Sequence, residues 1–423
     1  MRNHFKKSLS ISLAAFGLVA AGAFSANDAQ AVPSFARQTG MPCDACHFQG
    51  FPSLNAMGRG FRAEGYTMEG SQASIEGENA LKLPASLNLS LVTKIRHQSS
   101  NGEAAEATDY GQLQWPDEAA LLIGGRASAN AGFLTEVALF GVAGEADLTD
   151  GAVEASSFLS FKVAFLAAKA GDVQLSVIPF QTDALGVAYG FELLNTGAQR
   201  SQRPMEERKA MSAAQYLGFD GAATGIALVA AAPNWFVNYS MWGPGAGHLD
   251  VKLTGLAGYL RGAYMFDLAG LDTAVGIQMM TGTAKLDSGD HKTDAKVALA
   301  GQVIDAQTQG EVAGMPLGIY FSTGSVPKAG DDATTTYYNQ GGAAKSATAV
   351  AAKLGVGEGW QVYFATNSAK NSSELSDVRN TLGTTYHIAQ NIKLEVYQSG
   401  FSGDVVGTGD KTSMTTLSLF SGF

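Results

Sequence analysis

The chain holds two cysteines, and both fall in one five-residue run, Cys43-Asp44-Ala45-Cys46-His47. This C-x-x-C-H spacing has a specific chemistry. Two thiols so spaced add across the vinyl groups of a haem as thioethers, and the adjacent histidine then lies under the iron as its proximal ligand. Cys43 and Cys46 are therefore the candidate attachment points of one covalent haem c, and His47 is its candidate iron ligand. Other uses of the pair fit less well. A thioredoxin-like redox couple wants a βαβ context, and a zinc knuckle needs two further ligands, which residues 32–80 do not offer.

His47 is the one histidine in 32–80, so soft ligands must be weighed for the other face of the iron. Met/His ligation is an established haem arrangement. Met68, in Gly65-Tyr66-Thr67-Met68, is the preferred distal candidate and Met57 the second. Met41 precedes the motif too closely to reach the opposite face. Ordinary apolar packing is the competing role for each methionine. A barrel histidine such as His97 is a further option. Arg59 and Arg62 are placed to pair with haem propionates, or to sit solvated at the surface.

Leu54, Met57 and Phe61 recur at near-helical spacing, which predicts a short helix over about 53–63. A segment of fewer than about 50 residues is small for an independent fold. The haem, or a surrounding structure, must complete its core.

That surrounding structure is written in a different period. From about Ala85, Leu87, Leu89, Leu91 and Ile95 alternate with Ser86, Asn88, Ser90, Lys94 and Arg96. One face suits lipid and the other water, the pattern of a transmembrane barrel strand. Similar stretches recur at 131–143, 156–168, 172–183, 256–268, 360–369 and 391–400. Short separators (129–130, 170–172, 233–234, 270–271, 357–359, 390–391) alternate with longer polar ones (98–115, 144–155, 184–212, 244–252, 284–293, 325–342, 370–377, 402–410). Counting gives an all-β antiparallel barrel of about 16 strands, within 14 to 18, if 215–231 is one long strand. The chain closes on an amphipathic strand ending in Phe423. A lumen of this width could admit the haem segment from the periplasmic end, or the segment could hang in the periplasm.

Composition agrees. Charged residues make up 16% and there are 51 glycines, a low charge content for a globular chain. Arg2, Lys6 and Lys7, the apolar Ile11–Phe24 and Ala29-Gln30-Ala31 read as a secretory signal cleaved after Ala31. The organisation expected is a signal peptide over 1–31, a monohaem segment over 32–80 and an outer-membrane barrel over 81–423. Loss of the signal removes three cations and Asp28, taking the net charge from −10 to −12. That balance argues against nucleic acid as a partner. Acidic groups at Glu103, Glu106 and Asp109, at Glu145, Asp147 and Asp150, at Asp287 and Asp290, and at Asp331 and Asp332 could concentrate cations, or simply serve solubility. Residues 200–209 are the basic concentration, and His248, His291 and His387 read as plain polar positions.

The run Pro33–His47, with Phe48-Gln49-Gly50-Phe51-Pro52, Gly58-Arg59-Gly60-Phe61 and Gly65-Tyr66-Thr67-Met68, resembles the fused monohaem cytochrome–porins of iron-oxidising bacteria. The match is close over about 32–70 and rests on architecture beyond. The resemblance implies an iron(II) oxidase: extracellular Fe(II) as electron donor, a haem ligated through Cys43, Cys46 and His47, a periplasmic c-type cytochrome as acceptor, and residence in outer-membrane lipid. The competing expectations are a conduit for another donor or for outward electron flow, a plain diffusion porin, and a soluble periplasmic β-protein.

Overall fold

A computed structural model describes residues 33–70, 72–78, 82–101, 110–139, 158–196, 212–245, 255–287, 294–328 and 336–423. The expected signal peptide lies outside these residues. So do the basic run 200–209, His248, His291 and all the acidic candidates except Asp287.

Sixteen antiparallel strands form one closed barrel. It opens with Leu89–Ser100 and ends with Ser413–Gly422, and these two strands pair from Ser100↔Met414 to Val92↔Gly422. Leu91 and Phe423 exchange backbone hydrogen bonds at 2.9 and 3.0 Å beside that seam. Closure leaves no strand edge unpaired, the condition for crossing a bilayer with strands.

Burial alternates as the sequence period predicts. In Trp360–Lys370, Gln361, Tyr363, Ala365, Asn367 and Ala369 are buried inward, while Val362 and Phe364 stand exposed outward. The outward face elsewhere carries Leu260, Val275, Ile277, Ile304, Ile319, Leu382 and Val396, all exposed. Trp235 pairs with Tyr264 in register, and Trp360 with Tyr386, beside the short turns. Outward apolar bands ending in aromatic residues are the lipid-facing dress of an outer-membrane barrel.

Seven connections are two-residue turns, at 129–130, 171–172, 233–234, 269–270, 313–314, 358–359 and 390–391, all at the end where both chain termini of the barrel lie. The opposite end carries the eight longer connections. By the outer-membrane arrangement the turn end is periplasmic and the loop end extracellular.

Three details depart from the sequence reading. Residues 215–231 are not one strand: Ala213–Tyr216 is a helical turn with a Ser212/Gln215 capping box, and the strand starts at Ala223. The 313–314 turn carries no Asn-Gly or Asp-Gly pair to mark it; Ala313 and Gly314 both take positive φ, +51° and +77°, as a twist-matched two-residue hairpin requires. The barrel proper starts at Leu89, because Lys82–Pro84 pairs instead with Ser74–Glu76 in a small separate hairpin.

Among the described residues, part of the lumen is filled. Part of the long connection 183–222 folds inward, and Val187, Ala188, Leu194, Ala214 and Leu217 are fully buried against inward-facing Phe236, Tyr259 and Ala274. Glu192 from this connection meets Arg261 and Asp305 of the wall, all three side chains wholly buried. On the opposite wall Glu395, Ser399, Thr416 and Ser418 are inward-facing and have no exposed surface.

Candidate functional site

Residues 33–70 occupy the periplasmic end of this lumen. Three short helices carry them: α1 (Pro33–Thr39), α2 (Cys43–Cys46) and α3 (Ala56–Ala63). The helix predicted over 53–63 is α3, and it starts late because Asn55 caps it, accepting from the Gly58 amide at 3.0 Å. The Asn55 amide also donates to the carbonyls of Asp44 and Ala45, at 3.1 and 3.0 Å, which ties α3 to α2. Gly58 lies under the Cys46 carbonyl so closely that a Cβ there would collide with it. Glycine is thus required where α3 crosses the C-x-x-C turn.

The barrel wall grips this segment all round. Arg126 donates its backbone amide to Gln38 Oε1 at 3.0 Å and its guanidinium to the Thr67 carbonyl at 2.8 Å. Asn195 exchanges hydrogen bonds with the Leu54 backbone at 2.8 and 3.0 Å. Lys353 and Gln361 donate to the Gln49 carbonyl, and Lys393 to that of Phe51 at 3.2 Å. The Cys43 amide donates to Gln390 Oε1 in a periplasmic turn at 3.2 Å. The segment therefore lies inside the barrel, the first of the two expected placements.

Cys43, Cys46 and His47 all open on one cavity between this segment and the wall. The cavity holds about 180 Å³. Phe35, Met41, Leu54 and Phe61 line it from the segment, and Leu122, Leu134 and Leu185 from the barrel. Phe35 stacks on Tyr66 at 4.9 Å and meets Phe61 edge-on at 5.0 Å, so the apolar side is rigid.

The His47 ring is held in one tautomer. Its Nδ1 lies 3.1 Å from the Ser53 carbonyl. A carbonyl only accepts, so Nδ1 carries the proton and the Nε2 lone pair is left for coordination. Burial lowers the imidazole to about 4, which keeps the ring neutral, the ligating form, at neutral pH. Neither cysteine is in a disulfide, and Cys43 is buried while Cys46 is partly so. Burial raises the Cys46 thiol. Two thiols, a tautomer-fixed imidazole and a rigid apolar cavity fit a covalently held haem.

The other candidate residues separate here. Met41 lines the cavity, whereas Met57 and Met68 are not among its lining residues; Met68 contributes its carbonyl, which accepts from Gln38 Nε2 at 2.8 Å. Arg62 lines the cavity and donates to the Glu192 carbonyl at 2.7 Å. Arg59 turns away to an ion pair with Asp272 at 2.7 Å, so it is not aimed at a propionate. His97 shares its side of the strand with Leu91 and Ile95 and pairs across to Leu417 and exposed Leu113. It faces lipid and has no route to the lumen. His387 faces inward with its ring against Gly50.

Lys162 was not singled out by sequence. It lines the cavity, 2% exposed, donating to the Tyr189 carbonyl at 2.8 Å and lying 4.3 Å over the Tyr189 ring. A lone lysine at an inward position of the apolar strand Phe158–Ala170 was the available signal.

No protein-family model and no curated protein matches the chain. Solved structures do. OprB of Pseudomonas putida, determined at high pH, matches with a TM-score of 0.52 at 11% identity, over 80% of this chain and 94% of that one. An anion-selective porin from Comamonas acidovorans matches at 0.48 and 13%, over 80% and 99%. A loop L8 deletion mutant of OmpT, an outer membrane protein of Vibrio cholerae, matches at 0.46 and 10%, over 80% and 99%. The OprB likeness shows the fold. With the closed barrel and its apolar outer band, it makes this chain a porin-like barrel of the outer membrane.

Proposed function

We propose that this barrel carries electrons rather than solutes, through one haem c bonded to Cys43 and Cys46 inside its periplasmic end. The observation that carries the reading is convergence: the two cysteines and the adjacent imidazole open on one cavity between the N-terminal segment and the barrel wall. Bound there, haem supplies a one-electron Fe(III)/Fe(II) couple. The chain's own residues do the rest. His47 offers Nε2, with Ser53 fixing its tautomer. Met41 is the methionine among the cavity's lining residues and would be the soft donor available there. Phe35, Phe61 and Leu122 exclude water. Arg62 and Lys162 line the cavity and would be the basic groups available to the propionates.

Fe(II) outside the cell is the donor that the family resemblance suggests, with a periplasmic c-type cytochrome as acceptor. The inward-folded connection and buried wall favour this over diffusion, since an open pore would leave inward side chains wet. The diffusion reading draws its support from the porin fold. One preparation tests both. Protein made in a host that matures c-type cytochromes should exceed its polypeptide mass by one haem, and Fe(II) should reduce that haem, followed by absorbance. A bare polypeptide mass together with solute flux through liposomes would favour the diffusion porin.

A further inference from the structure

At the extracellular end, on the far side of the lumen from Cys43, a second cavity of about 580 Å³ opens outward. Tyr216, Tyr337, Tyr338, Lys345, Asn371 and Arg379 line it. Lys345 begins the strand after a long connection, and Arg379 lies near the extracellular end of Ser376–Ala389. The two cations flank the Tyr216 ring, Lys345 Nζ at 5.9 Å and Arg379 Cζ at 5.6 Å from its centre. Asp377 neutralises Arg379 at 2.8 Å but is not among the lining residues. Among the described residues no carboxylate lines this cavity.

We infer that this cavity receives the electron donor, and that it takes an anionic organic chelate of iron in preference to the hydrated cation. The inference rests on the electron-carrying reading above. A bare Fe(II) ion wants carboxylate or imidazole ligands, and the lining offers it none among the described residues while presenting the Lys345 ammonium. An anionic chelate meets the Lys345 ammonium and the outer N–H groups of the Asp377-paired Arg379, tyrosine faces for its organic frame, and the Asn371 and Gln215 amides as hydrogen-bond partners. The floor also leads inward. Tyr338 packs on Phe219 at 4.9 Å, and both belong to the continuous buried cluster that contains Tyr189, a wall of the haem cavity. The two cavities are thus the ends of one packed, dry body. The step balances simply: the chelated Fe(II) loses one electron to become chelated Fe(III), the haem iron gains it, and no bond is made or broken.

The test uses the full-length protein in detergent, with two readouts. Calorimetric titration with gallium(III) citrate, a redox-inert anionic chelate, asks about the site independently of haem. Binding is expected in the native protein, about tenfold weaker in Lys345→Glu and in Arg379→Gln, and unchanged in Lys169→Glu beside a periplasmic turn. Stopped-flow reduction of the haem by Fe(II)-EDTA, an anion, should slow by about tenfold in Lys345→Glu at low ionic strength. Reduction by hexaammineruthenium(II), a cation, should quicken. Equal effects on both donors, an equal effect of Lys169→Glu, or gallium citrate binding insensitive to Lys345 and Arg379 would overturn the inference. Haem is quantified first. Protein that binds gallium citrate as expected but contains no haem would overturn the electron-transfer reading while keeping the anion site. Haem-loaded protein with no charge preference would do the reverse.

Discussion

Replacing Arg261 by methionine should unlock the lumen. The guanidinium makes four hydrogen bonds: to Glu192 Oε2 and Oε1 at 2.8 and 3.1 Å, and to Asp305 Oδ2 and Oδ1 at 2.5 and 3.0 Å. All three side chains have zero exposure. Glu192 also accepts from the Leu193 and Leu194 amides at 3.0 and 2.8 Å, and Thr196 donates to Asp305 Oδ1 at 2.6 Å. Arg261 therefore pins the inward connection to the wall. Its loss leaves two uncompensated carboxylates side by side, a change that costs about 3–5 kcal/mol. The wall cannot leave the membrane, so the connection is the part that moves. Urea unfolding followed by heat-modifiable gel mobility should show the midpoint fall, and planar-bilayer recording should show conductance above that of the native barrel. The triple change Arg261→Met, Glu192→Leu, Asp305→Leu should regain most of the stability, because an apolar replacement of a whole buried ion group is neutral or better. An Arg261→Met protein as stable and as tight as the native one would refute the reasoning.

Further outcomes follow from the cavity. The double change Cys43→Ala, Cys46→Ala should abolish the haem mass shift yet leave a heat-modifiable barrel. Met41→Leu should alter the haem absorption spectrum while Met68→Leu and His97→Ala do not; a spectral change in Met68→Leu alone would restore that residue as distal ligand. Gly58→Ala drives a methyl into the Cys46 carbonyl and should destabilise the segment by about 1–3 kcal/mol, read as lower haem yield. In the haem-free double-cysteine variant, His47 stays neutral down to about 4, whereas the unfolded ring titrates near 6.5. Between those values the unfolded state binds the extra proton, so stability rises with pH across that window, by up to about 3 kcal/mol. Adding His47→Gln should flatten that slope in urea titrations at stepped pH.

Much of this was legible in the residues, for physical reasons. A C-x-x-C-H run needs no tertiary context to declare its chemistry, and a strand facing lipid and lumen must alternate. What alternation states it also settles: the parity of His97 with Leu91 and Ile95 already assigns it to the lipid side. The turn at Ala313-Gly314 escaped notice because small residues can take positive φ without the usual Asn-Gly signature. The helical turn at Ala213–Tyr216 was announced by Ser212 and Gln215, but the small apolar residues around it continue the strand pattern. Arg59 and Met68 could not be assigned locally. Their roles depend on Asp272 and Gln38, 213 and 30 residues away in the chain. Nor could Lys162 be recognised, since an inward lysine reads alike whether it lines water or a cofactor cavity.

The two halves of the molecule satisfy each other's unmet requirements. Residues 33–70 hold only three helices of four to eight residues, so most of their carbonyls lack helical or sheet partners, and buried carbonyls without partners are costly. The barrel supplies the donors: Arg126 to Thr67, Asn195 to Leu54, Gln361 and Lys353 to Gln49, Lys393 to Phe51. Each donor is an inward polar side chain that a simple pore would spend on water. In return the segment buries Leu54, Phe61 and Tyr66, closing the periplasmic mouth with apolar surface that the wall alone does not carry. A polar lumen is therefore not evidence of an aqueous channel here. The same side chains that would line one are used as the second half of a folding interface, and the cavity holding Cys43, Cys46 and His47 exists only where the two halves meet.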